Sequence, residues 1–151
     1  MYFLNAAINR VEDEQIREEL EERLAIVQHK IKYMDKVPVA CLDTENRLNI
    51  ALKGVIEDAG GELQEDVSKA KVLIYHELGS SMLELMGIVP ALIEREWPSV
   101  EYNRVYLVDD HAADFEDPFV AITTLEDIAE ILYPGSFVFG NEGKNWTGFG
   151  V

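Results

Sequence analysis

Lys71-Val72-Leu73-Ile74-Tyr75 is an unbroken apolar run behind one lysine, followed at once by the polar pair His76-Glu77. A strand with one wet face alternates apolar and polar residues. A continuous run instead suits a strand covered on both faces, as in a parallel sheet between helices. Val37-Pro38-Val39-Ala40-Cys41-Leu42 and Arg104-Val105-Tyr106-Leu107-Val108 have the same character. Helical stretches are expected between and after these runs: 46–59 closed by Gly60-Gly61, 80–95 interrupted by Pro90, and 118–133 closed by Pro134-Gly135. Alternating strand and helix predicts an α/β three-layer sandwich around a mostly parallel sheet of roughly four or five strands, Gly61-Glu62-Leu63 adding a short one.

Upstream, Leu20, Leu24, Val27, Ile31 and Met34 recur at spacings of four and three, which predicts one apolar face on a long helix over 14–36. Acids crowd its start and Lys30, Lys32 and Lys36 its end, in the order the helix dipole favours. The apolar stripe is expected to be covered by a partner, as an oligomer interface. The composition changes at Val37, so residues 1–36 read as an N-terminal segment with its helix and 37–151 as one lobe. The glycine-rich, aromatic tail after Gly135 is expected to wrap back on that lobe without forming an element.

The chain has 151 residues and a net charge of −16, from 29 acids against 13 lysines and arginines. Such a field repels phosphate backbones and anionic membranes, so nucleic acid is not an expected partner. No apolar segment approaches membrane-spanning length, and Met1 to Arg10 lacks a basic segment followed by an apolar one. The expected location is cytoplasmic. The single cysteine, Cys41, lies inside an apolar run and reads as a small buried hydrophobe.

Ligands of parallel α/β sheets meet the carboxyl ends of the strands. Those ends supply Asp43, Thr44 and Glu45, then His76 and Glu77, then Asp109, Asp110 and His111. If the strands are neighbours, these side chains share one rim. Histidines and carboxylates brought together there could hold a divalent metal or run acid–base chemistry. The plainer reading makes them helix caps and turn formers, and no close metal-motif spacing is present. Gly79-Ser80-Ser81 could offer backbone N–H groups to an anion at a helix start, but it lacks the lysine of a P-loop. Tyr75, Phe115, Phe119, Phe137, Phe139 and Trp146 could stack on a flat ligand or simply fill the core.

Trp97-Pro98-Ser99-Val100-Glu101-Tyr102-Asn103-Arg104-Val105-Tyr106-Leu107-Val108-Asp109 resembles the W…A-V-K-N-G-R-V-Y-x-V-D signature of helical-backbone ABC importer substrate-binding proteins for cobalamin and ferric siderophores. Leu125-Glu126-Asp127-Ile128-Ala129-Glu130-Ile131-Leu132-Tyr133-Pro134 is similar to that family's terminal helix. The order of elements around them agrees over roughly residues 14–146. In that family two α/β lobes joined by a long helix clasp the ligand between facing strand ends. The resemblance covers the helix and the C-terminal lobe only.

The resemblance implies a non-enzymatic binder of a corrinoid or ferric siderophore, with no certain cofactor. It assigns possible ligand contacts to Asp43, Thr44, Glu45, His76, Glu77, Gly79, Asp110, His111 and Phe115. The missing wall of the cleft would come from a homodimer or a separate N-lobe-like protein, and an ABC permease is the further partner implied. Two other readings remain open: an orphan lobe that serves as a protein–protein interaction module, and a metal-dependent enzyme using the strand-end histidines and acids.

Overall fold

The structure, a computed structural model, describes residues 3–150. The elements run α1 (Phe3–Asn9), α2 (Glu14–Ile31), β1 (Val37–Leu42), α3 (Lys53–Asp58), β2 (Gly61–Leu63), β3 (Val72–Tyr75), α4 (Met82–Ile88), α5 (Pro98–Glu101), β4 (Val105–Val108), α6 (Pro118–Leu132) and β5 (Trp146–Gly148). The five strands form one sheet in the order β2-β1-β3-β4-β5. The first four are parallel, and β5 pairs antiparallel on the β4 edge.

The unbroken apolar runs do what two covered faces require. Val39, Cys41, Val72, Ile74 and Val108 point into one core with α1, α2, α3 and α6. The residues between them, Ala40, Leu42, Leu73, Tyr75 and Leu107, point into a second core with α4 and the turn around Pro90. The three central strands β1, β3 and β4 thus contribute to both layers, and the predicted three-layer sandwich is the fold observed.

Four expectations need revision. The helix expected over 46–59 survives only as α3. Asp43 Oδ1 instead accepts the N–H groups of Glu45 (2.8 Å) and Arg47 (3.0 Å), and Asn46 takes a left-handed φ of 58°. Short polar side chains that bond the local backbone compete with helix formation. The stretch 80–95 is helical only to Ile88, because Pro90 lacks the N–H a continuing α-helix needs. The glycine-rich tail does form an element, β5, pinned on β4 through the register Leu107↔Thr147. Finally, α1 was not expected: Leu4, Ala7 and Ile8 are buried, and the N–H groups of Phe3 and Leu4 donate to the Asp58 carboxylate at 3.1 and 2.8 Å.

The apolar stripe of α2 also changes role. Leu20, Leu24 and Val27 are already buried in the chain's own core, Ile31 packs against it, and Arg23 clamps α2 to Glu126 of α6 at 2.5 Å. Met34, half-buried, lies beyond the end of the helix. These residues therefore do not form the free oligomer interface expected for them, because α6 and α1 occupy the face that a second copy would need.

At the close of α3, Gly60 has φ +97°, and a Cβ there would fall 2.4 Å from the Tyr133 hydroxyl oxygen. The left-handed backbone favours glycine, and an added Cβ would push the Tyr133 hydroxyl aside. Cys41 is fully buried on β1, and burial pushes its thiol up to about 12. It is expected to stay inert to an aromatic disulfide reagent in the native protein and to react only at the rate of unfolding. Rapid stoichiometric labelling without denaturant would contradict this placement.

Candidate functional site

Strands β1, β3 and β4 are neighbours, with Leu42 paired to Tyr75 and Tyr75 to Leu107. Their carboxyl ends therefore lie side by side, and the segments starting at Asp43, His76 and Asp109 leave from one edge of the sheet. The strand ends foreseen in the sequence share one edge, and their side chains bond partly to each other and partly to nearby backbone, Arg47 and Asn49.

Thr44 ties the first two segments together: its hydroxyl donates to Glu77 Oε1 at 2.6 Å, with a longer bond from its N–H at 3.4 Å. Asp43 is held locally by the turn described above, with the Arg47 guanidinium 3.4 Å away. Burial pushes the Asp43 carboxyl up, but the Arg47 and Glu45 N–H groups and the Arg47 charge outweigh it and leave it below its ordinary value. Glu45 is exposed and pairs with Arg47 at 3.2 Å.

His76 is fully buried. Its Nδ1 lies 3.0 Å from the Asn49 amide, which also donates to the His76 carbonyl at 2.6 Å, and its Nε2 lies 3.4 Å from the Asp110 carbonyl. Burial lowers its pKa, so the ring is neutral at pH 7, accepting at Nδ1 and donating at Nε2. A neutral imidazole with both nitrogens engaged fastens the loops after β1, β3 and β4 to one another.

On the third segment, Asp109 Oδ1 accepts from the N–H of Met82 at 2.8 Å, and Oδ2 lies 2.5 Å from His111 Nδ1. Burial raises the Asp109 carboxyl, but these bonds outweigh it and lower the net value. One ligand-capable atom from each of Asp109, Asp110 and His111 falls within 4.8 Å of the others. His76 stands outside this group.

Gly79 sits at φ +85° in the loop before α4, and Ser81 is the helix cap, accepting from Glu84 N–H at 3.2 Å. Phe115 is half-buried and packs edge-on against Phe3 at 5.4 Å and against the core. Tyr75, Phe137 and Trp146 are core residues too, Phe139 packs against that core, and Phe119 alone of the six aromatics remains largely exposed. Sequence reasoning missed Asn49, which holds His76. Its signal was an Asn two residues ahead of a turn, where its Oδ1 accepts the Ala51 N–H at 2.9 Å.

The stretch 97–104, ahead of β4, has a structural role at the other end of the sheet. Trp97 precedes α5, Asn103 turns the chain at φ 58°, and Arg104 donates to the Ile131 carbonyl (2.7 Å) and the Tyr106 hydroxyl (2.8 Å) as β4 begins.

No protein-family model matches the chain, and no curated protein matches it in sequence. Solved structures do. An ABC transporter substrate-binding protein from Listeria monocytogenes superposes with a TM-score of 0.64 at 16% identity, over 79% of this chain and 56% of that one. The TroA-like periplasmic binding protein FepB from Veillonella parvula gives 0.62 at 11%, over 82% and 47%. Helicobacter pylori CeuE with nickel(II) bound gives 0.53 at 12%, over 83% and 47%. The chain thus spans about half the length of the solved chains it matches. At these identities the likeness is one of fold alone: this chain has the fold of about half of each of these binding-protein chains, which fits one lobe, the C-terminal one.

Proposed function

We propose that the chain is a non-enzymatic small-ligand-binding lobe, in which the rim of β1, β3 and β4 forms one wall of a cleft and a second body supplies the other. The observation that carries this reading is the uncovered rim: Leu48, Ile50, Leu78 and Leu83, on the segments after β1 and β3, are 46%, 74%, 66% and 76% exposed. Apolar side chains beside a polar rim suit contact with a ligand or an opposing wall. The ligand classes are a corrinoid or a ferric siderophore, and an ABC permease is a further partner in this reading.

The opposing wall is either a second copy or a separate N-lobe-like protein. Charge favours the separate protein. Asp43, Glu45, Glu77 and Asp110 of one rim would meet their own copies across a twofold, with Arg47 already paired to Asp43 and Glu45. Like charges brought together cost free energy unless a cationic ligand lies between them.

Sedimentation velocity of the protein alone, with cobalamin and with ferrichrome, followed at the ligands' visible bands, tests the proposal. Co-sedimentation at twice the monomer mass would support closure by a second copy, and at the monomer mass binding by the single lobe. Ligand left at the meniscus in both mixtures, with no change in thermal midpoint, would remove the corrinoid and siderophore reading.

A further inference from the structure

Away from the rim centre, a cavity of about 140 Å³ opens between the turn Asp110–Ala113 and the first half of α6. Ala112, Phe119 and Val120 supply its apolar wall, and His111, Thr123, Thr124, Asp127 and Asn145 its polar one. Among the lining residues the one group able to carry positive charge is His111, whose Nδ1 is already held 2.5 Å from Asp109 Oδ2. The Asp127 side chain is buried, yet both its oxygens are met only by neutral amides, Asn141 Nδ2 at 2.8 Å and Asn145 Nδ2 at 3.1 Å. Arg23, the cation reaching over from α2, is occupied by Glu126 at 2.5 Å and by the Thr123 hydroxyl at 3.2 Å. The Thr124 hydroxyl already donates to the Ala112 carbonyl at 2.8 Å, so it faces the space as an acceptor.

We infer that this cavity is a binding site for a small organic ammonium ion, with the Asp127 carboxylate as counter-charge and the Phe119 ring as apolar and π-face wall. The chemistry follows from the unbalanced charge. The buried carboxylate accepts from two neutral amides and, among the described residues, makes no direct ion pair, Arg23 acting on it only at longer range. An alkylammonium brings both the charge and further hydrogen-bond donors. Its carbon chain meets Ala112, Val120 and Phe119, and a cation over an aromatic face gains further attraction. At about 30 Å³ per water-sized group the volume holds roughly five heavy atoms, the size of n-butylammonium.

Burial, assisted by Glu126 and Glu130 on the same helix, pushes the Asp127 carboxyl up to about 6. The groups around it from other elements are Arg23 on α2, His111 on the turn after β4, and the two tail asparagines. Ionised Asp127 is the form that binds, so the site empties as pH falls through about 6.

The test is amide NMR titration with n-butylammonium, trimethylammonium and, as the neutral analogue, n-butanol, in about 0.15 M NaCl to screen the acidic surface. Saturable shifts at Ala112, Val120, Thr124 and Asn145 are expected for both cations at pH 8. They should weaken about tenfold at pH 5 and disappear in Asp127→Asn, whose fold is checked by the same spectra. Phe119→Leu, at an exposed position, should weaken trimethylammonium about two- to fivefold and leave the spectrum otherwise native. Butanol binding as tightly as butylammonium, or cation shifts scattered over the surface and unchanged in Asp127→Asn, would overturn the site.

Discussion

Leu24→Ala is expected to destabilise the protein by about 2–5 kcal/mol, the cost of emptying a filled core position. Leu24 is 4% exposed, between Leu20 and Val27 at 0%, in the same core as Val39, Val72 and Ile128. Helix α6 already occupies the facing surface, so little can relax into the hole. Domain stabilities lie near 5–15 kcal/mol, so the loss should be plain in the urea midpoint, with the slope m unchanged. The midpoint should also be the same at micromolar and at hundredfold higher protein concentration. A variant that stays as stable as the parent but sediments at a lower mass would show that the stripe is an interface after all.

The second large effect is electrostatic. Asp127 titrates at about 6 in the folded chain against an ordinary value of 3.8. An acid whose pKa is raised by folding binds its proton more tightly in the native state. Its contribution is therefore most favourable below the unfolded value and is lost as pH rises through the folded one, from about 4 to about 7. A shift of roughly two units corresponds to about 3 kcal/mol. Asp127→Asn removes the buried charge and should raise stability at pH 8 by about 1–3 kcal/mol. The gain is reduced if the Asn141 or Asn145 amide must turn to offer its oxygen. At pH 4 the variant and parent should nearly coincide. The difference between them isolates this residue from the many other acids, and a variant less stable than the parent at pH 8 would reverse the sign assigned to its burial.

Most of the architecture was legible because it rests on burial periodicity. The runs 37–42, 71–75 and 104–108 became β1, β3 and β4, and the structure makes those three strands neighbours. What the sequence hid was governed by local bonding and by contacts distant along the chain. The Asp43 turn replaced half a helix, because a carboxylate accepting two nearby N–H groups leaves no outward sign in apolar spacing. The α2 stripe was visible as a stripe, but what covers it lies about a hundred residues away on α6. Periodicity alone does not distinguish a chain's own core from a partner.

The rim shows the same division. The placement of Asp43, His76 and Asp109 at strand ends could be read from three apolar runs, whereas the adjacency of those strands and the internal pairing of the side chains came from the structure. Thr44 with Glu77, His76 with Asn49, and Asp109 with Met82 and His111 join the three segments into a firm edge. A rigid edge of this kind suits a wall that meets a ligand with little reorganisation. It offers less to catalysis, since the buried imidazole is neutral and engaged at both nitrogens.

The most direct check on the central claim is to map, by amide NMR, where cobalamin and ferrichrome touch the chain. The account predicts perturbations concentrated at 43–45, 76–79 and 109–111, with the apolar neighbours Leu48 and Leu78 joining them. Perturbations confined to the amino-terminal end of the sheet, around Pro38, Lys71 and Arg104, would contradict it.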